Sequence, residues 1–142
     1  MIHLIVGNTG SGKTTYSNEL KGKTHGVIFS IDKWNKTLFL ADKKSTDGLE
    51  WFLERIERAE EMIMDIVKQL ENSNTNSILD LGLSKLEHRN KFRNFAELNN
   101  FELTTHFLDI PKATRLNRVM KRNEEKGDTF EFEVTRENFD FM

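Results

Sequence analysis

The chain contains no cysteine, which excludes a disulfide framework and a thiolate metal site. It has no apolar run approaching the roughly 20 residues that a membrane-spanning helix needs. The apolar segment after Met1 is only a strand long, so no signal peptide is expected and a cytoplasmic location is. Net charge is nearly absent: 21 basic against 23 acidic residues leave −2, so no global field draws the chain to nucleic acid. Internal repeats and low-complexity tracts are missing. The four histidines, His3, His25, His88 and His106, share no ligand spacing and read as ordinary residues, not zinc ligands. What remains is 142 residues, 37% hydrophobic and 31% charged, the profile of one globular domain with a modest core.

The most informative stretch is Gly7-Asn8-Thr9-Gly10-Ser11-Gly12-Lys13-Thr14, which fits the phosphate-cradling pattern G-x-x-x-x-G-K-[ST]. It follows Ile2-His3-Leu4-Ile5-Val6, a run that reads as a buried parallel strand, and precedes Thr15 and a short helix closed by Gly22. Strand, glycine loop and helix is the setting the pattern requires. Glycines 7, 10 and 12 permit positive φ and close approach to an anion, while backbone N–H groups and the helix N-terminus supply partial positive charge. Lys13 adds a full charge for the β/γ-phosphates, and the Thr14 hydroxyl is placed to ligate a bridging magnesium ion. The expected ligand is a nucleoside triphosphate.

A second apolar run, residues 27–31, ends on Asp32. Ligands of open α/β sheets bind beyond the carboxyl ends of strands, so Asp32 belongs to the same rim as the loop. It can accept a proton there, help hold the metal, or serve as the N-cap of a helix. Trp34, Phe39 and Leu40 either wall a substrate pocket or pack onto the sheet. Asp47 and Glu50 read as a capping box opening a long helix to Glu71, apolar at Leu49, Phe52, Leu53, Ile56, Ala59, Ile63, Ile66, Val67 and Leu70, with a solvated face that includes Glu57 and Glu60. Residues 77–82 read as a third strand carrying Asp80, an acid suited to hold magnesium. A second capping box, Ser84 and Glu87, opens a helix on which Arg89 and Arg93 share a face, as a surface pair or toward substrate. A fourth strand, residues 103–108, runs to Asp109-Ile110-Pro111, the single proline suiting the first turn of the next helix. On that helix Ala113, Leu116, Val119 and Met120 form one side and Arg115, Arg118 and Arg122 the other, where they would clamp a triphosphate. Residues 123–128 read as a polar connection, residues 130–134 as a short extended segment, and a final helix follows Thr135.

These residues together resemble the small P-loop kinases, AAA-type single-domain ATPases grouped with zeta toxin, chloramphenicol phosphotransferase and phage polynucleotide kinase. The resemblance spans nearly the whole chain and rests on the loop, the strand ending at Asp32, Ile78-Leu79-Asp80, and Asp109-Ile110-Pro111 leading to Arg118-Val119-x-x-Arg122-Asn123. It implies phosphate and magnesium binding by Lys13 and Thr14, a catalytic base at Asp32, and lid arginines among Arg115, Arg118 and Arg122. It also implies one domain over residues 1–142 with a short C-terminal tail missing. Polynucleotide kinases carry an arginine shortly after the base, where this chain has Lys33, Trp34 and Asn35, so a nucleic-acid acceptor is not favoured.

The expected fold is a three-layer α/β P-loop NTPase, nucleoside-kinase-like, with a mostly parallel sheet of about four or five strands. The expected activity is ATP- and Mg2+-dependent phosphoryl transfer to a hydroxyl of a small molecule or nucleic-acid end. The competing expectation is an ATPase that acts as a switch with a protein partner. A GTPase is disfavoured because no N-K-x-D pattern follows the later strands, and an RNA-binding module because the aromatics are scattered and the net charge is −2.

Overall fold

The computed structural model describes residues 1–8, 10–83, 85–108, 117 and 119–121. Four parallel strands, β1 (Ile2–Val6), β2 (Val27–Ser30), β3 (Ser77–Asp80) and β4 (Leu103–Phe107), form one sheet in the order β2-β3-β1-β4. Between them lie α1 (Lys13–Thr24), α2 (Ile31–Leu38), α3 (Leu49–Asn72) and α4 (Leu86–Leu98). All five residues of β1 are buried, as a strand covered on both faces requires. Its side chains alternate. Ile2, Leu4 and Val6 join Phe29, Leu79, the α3 residues Ala59, Ile63 and Val67, and the α4 residues Phe92 and Ala96 in one core cluster. The intervening His3 and Ile5 turn to the opposite face, where α1 crosses the sheet.

Several boundaries differ from the sequence reading for identifiable reasons. Helix α1 continues through Gly22 to Thr24, and His25 ends it instead, with φ of 56° and its N–H bonded to the Lys21 carbonyl. Strand β2 stops at Ser30, whose hydroxyl accepts from the Lys33 N–H at 3.4 Å and caps α2, so Ile31 is helical and Asp32 lies within the first turn, not at the cap. The cap of α3 is Gly48, because the Asp47 carboxylate accepts from the Lys44 N–H in the preceding turn. Strand β3 ends at Asp80, and Leu81 and Leu83 beyond it plug the core. The cap of α4 is Lys85; Ser84 lies outside the described residues.

The long helix is correct in extent but not in its faces. Leu49 and Leu53 are about half exposed, and the core contact begins two turns later. Glu60, expected in solvent, is buried: His88 bonds one carboxylate oxygen and the Lys91 ammonium the other, the latter at 3.0 Å. That pair of ties fastens α3 to the start of α4. Trp34 and Phe39 pack against the core cluster, Trp34 beside Phe29, which is the packing role expected of them.

Candidate active site

The loop between β1 and α1 contains two glycines that require a left-handed backbone, Gly10 at φ 83° and Gly12 at φ 89°. Gly7 is needed for a different reason. A β-carbon there would meet the Ser11 hydroxyl oxygen at 2.3 Å and the Leu108 β-carbon at 3.2 Å. The loop is therefore folded tightly on itself, and the Ser11 N–H closes it onto the Asn8 carbonyl at 3.0 Å. Thr9 is outside the described residues.

The helix that follows starts without a side-chain cap. Its N-cap is Gly12, no acidic residue stands in its first turn, and Lys13, Thr14 and Thr15 are its first three residues. The opening N–H groups of a helix have no helical acceptor, and glycine provides none. An uncapped, carboxylate-free N-terminus with a lysine in its first turn attracts anions. The Lys13 ammonium donates to the Gly7 carbonyl at 3.0 Å, so it bends back across the loop.

Two carboxylates stand on the same rim. Asp80 ends β3 and is buried; the pairing of Leu4 with Leu79 places it one step further toward the loop end of β1. Ser30 pairs with Asp80, which puts Asp32 just beyond the end of β2, exposed to solvent. One strand separates β2 from β1, so strand spacing sets their axes about 10 Å apart. Thr14, in the first turn of α1, and Asp80, at the end of β3, carry the hard oxygen donors that magnesium prefers, and that ion takes only one or two protein ligands beside phosphates and water. Among the described residues no group of three or more histidines or carboxylates could hold a metal.

Arg115, Arg118 and Arg122 lie outside the described residues. Residues 117 and 119–121 are helical; Val119 is fully buried as expected, but Met120 is exposed. Arg89 and Arg93 are not a loose surface pair. Arg89 donates to the Leu83 carbonyl and covers the Phe107 ring, and Arg93 donates to Thr105, so both brace α4 on β4 and its flank.

The profile of the AAA domain family matches residues 2–142. The chain belongs to the AAA domain family. Among curated proteins none matches it. The fold of this AAA domain is shared with solved structures of low identity. One, from the Pnkp1/Rnl/Hen1 RNA repair complex, is 21% identical with a TM-score of 0.73, over 98% of this chain and 41% of the other. A candidate kinase from Chloroflexus aurantiacus is 15% identical with a TM-score of 0.72, over 99% and 72%. Chaetomium thermophilum Kti12, in complex with ADP-AlF3, is 17% identical with a TM-score of 0.69, over 99% and 77%. This AAA domain thus spans about two fifths of the first of these chains.

The histidines contain what the sequence reading missed. His3 and His106, 103 residues apart, are hydrogen-bonded to each other. No local spacing reveals such a pair; only the parallel pairing of β1 with β4 brings it together.

Proposed function

We propose that this AAA domain is an ATP-dependent phosphotransferase that moves the γ-phosphoryl group to a hydroxyl of a small molecule or nucleic-acid end. The observation that carries the proposal is the pairing of an uncapped α1 N-terminus bearing Lys13 with an exposed carboxylate, Asp32, on the same sheet rim. The triphosphate would lie against residues 7–15, with Lys13 released from the Gly7 carbonyl to the phosphates. Magnesium, held by Thr14 and Asp80, would neutralise phosphate charge. Asp32 would accept the acceptor's proton as the acceptor oxygen bonds to phosphorus and the bond to the ADP leaving oxygen breaks. Arg115, Arg118 and Arg122 would stabilise the charge in transfer.

Labelled ATP, incubated with the full chain and a panel of nucleosides, oligonucleotide ends, sugars and hydroxylated antibiotics, tests this. Label should appear on an acceptor with the wild type and be lost with Asp32→Asn, while ATP affinity stays nearly unchanged. Transfer that survives Asp32→Asn removes Asp32 as base. A negative panel with hydrolysis stimulated by a protein partner replaces the transferase with a nucleotide-dependent switch.

A further inference from the structure

Four side chains from separate parts of the fold form one hydrogen-bonded chain. The Tyr16 hydroxyl lies 2.6 Å from His106 Nδ1, His106 Nε2 lies 3.0 Å from His3 Nδ1, and His3 Nε2 lies 3.2 Å from Asn76 Oδ1. The Asn76 amide nitrogen points to the Thr24 carbonyl at the end of α1. This last contact sets the direction of the rest. The Asn76 oxygen must accept, so His3 donates from Nε2 and offers Nδ1 as an acceptor. His106 Nε2–H fills that acceptor, and His106 Nδ1 then accepts from Tyr16. With both imidazoles neutral every ring nitrogen has a partner, and the Tyr16 hydroxyl is the donor at the end of the chain. One proton added to the pair is accommodated only with the Tyr16 bond reversed, His106 donating from Nδ1, and a second would set two N–H groups face to face at 3.0 Å. A proton added at His106 Nδ1 would reverse the Tyr16 bond and place a charge beside His3.

The chain ends at both ends of the phosphate loop. The Tyr16 N–H donates to the Gly12 carbonyl at 2.9 Å, so Tyr16 belongs to the first turn that bears Lys13 and Thr14. Two residues after His106, the Leu108 N–H donates to the Val6 carbonyl at 2.8 Å, and the Leu108 side chain rests against Gly7. One imidazole is therefore tied to the loop's exit through α1 and to its entrance through β4.

We propose that Tyr16, His106 and His3 are positioning residues that latch the two ends of the phosphate loop together while both imidazoles are neutral, and that acidification opens the latch and weakens anion binding. The second half rests on the nucleotide-binding reading; the first does not. Burial is the main influence that lowers the pKa of both histidines from 6.5. Asn76 raises that of His3, the Met1 ammonium lowers it and the Glu71 carboxylate raises it; His3 lowers that of His106. Those two charges are themselves paired at 2.9 Å. Because the folded pKa values lie below the unfolded value, the latch's stabilisation is fully present above pH 6.5 and is lost as pH falls through the lowered values.

The test is an NMR titration of the full chain from pH 8 to 5, following the His3 and His106 rings and the amides of Gly10, Gly12 and Lys13. The two rings should titrate below 6.5, and the loop amides should move with the His106 midpoint. His106→Gln, which keeps hydrogen-bonding groups but cannot titrate, should remove that midpoint from the amides. Tyr16→Phe should shift the loop amides at pH 8 toward their acid positions and weaken ADP about three- to tenfold. Ionisation of the phosphate is common to wild type and His106→Gln, so their difference isolates the latch. Loop amides that stay still through the histidine titration, or a midpoint that persists in His106→Gln, would overturn the proposal. Amides that follow His106 in a protein binding no ADP at any pH would uphold the latch and refute the nucleotide reading.

Discussion

Replacing Gly7 by alanine should damage the loop through one identifiable contact. The new β-carbon would sit 2.3 Å from the Ser11 hydroxyl oxygen, 3.0 Å from the Ser11 β-carbon and 3.2 Å from the Leu108 β-carbon. Ser11 is 4% exposed, so its hydroxyl has little room to swing away. Overpacking of this kind costs about 1–3 kcal/mol. The Ser11 hydroxyl has no hydrogen-bond partner among the described residues, so Ser11→Ala by itself should be close to neutral. In the double variant the 2.3 Å contact is gone and only the two milder ones remain. The cost of Gly7→Ala should then fall by roughly half, a coupling of about 1 kcal/mol, well above the 0.3–0.5 kcal/mol scatter of independent sites. Urea unfolding of the four proteins in the cycle measures it. Additive effects within that scatter would show that Ser11 does not set the glycine requirement at position 7.

Other positions give contrasting outcomes. Gly22 lies inside α1, exposed, with nothing within 4 Å of an added β-carbon, so Gly22→Ala should stabilise the chain by about 0.5–1 kcal/mol, read as a raised melting temperature. Glu60→Ala strands His88 and Lys91, but both remain partly exposed and regain water. Its cost in denaturant unfolding should therefore be about 1–3 kcal/mol, below the 3–5 kcal/mol typical when the abandoned partner is fully buried.

The sequence was most legible where a local period or a glycine pattern decides structure. The apolar runs became parallel strands, the two central ones buried and the two at the edges only partly so, the loop and its helix stand where the pattern requires, and the carboxyl-end rule placed Asp32 and Asp80 on the loop's rim. Caps were misassigned where a side chain had a nearer partner, as Asp47 has in the Lys44 N–H. Glu60 was misread because helical period reports which face is apolar and not what a neighbouring helix brings against it; His88 and Lys91 arrive from 28 and 31 residues away. The Tyr16–His106–His3–Asn76 chain was invisible for the same reason, since it exists only through sheet register and the crossing of α1. The glycine pattern was right at Gly7 for the wrong cause: close packing against Ser11 and Leu108 demands it, not positive φ.

The central claim is that the loop and the N-terminus of α1 hold a triphosphate through Lys13. Titration of ATP and Mg2+ into wild type and Lys13→Ala, followed calorimetrically, tests it most directly. Lys13 contributes one hydrogen bond to the Gly7 carbonyl, so its loss should lower stability by no more than about 1 kcal/mol. Saturable binding to wild type, abolished in a Lys13→Ala protein that still unfolds cooperatively, is the expected result. Equal ATP affinity in the two folded proteins would contradict the assignment of this loop as the phosphate site.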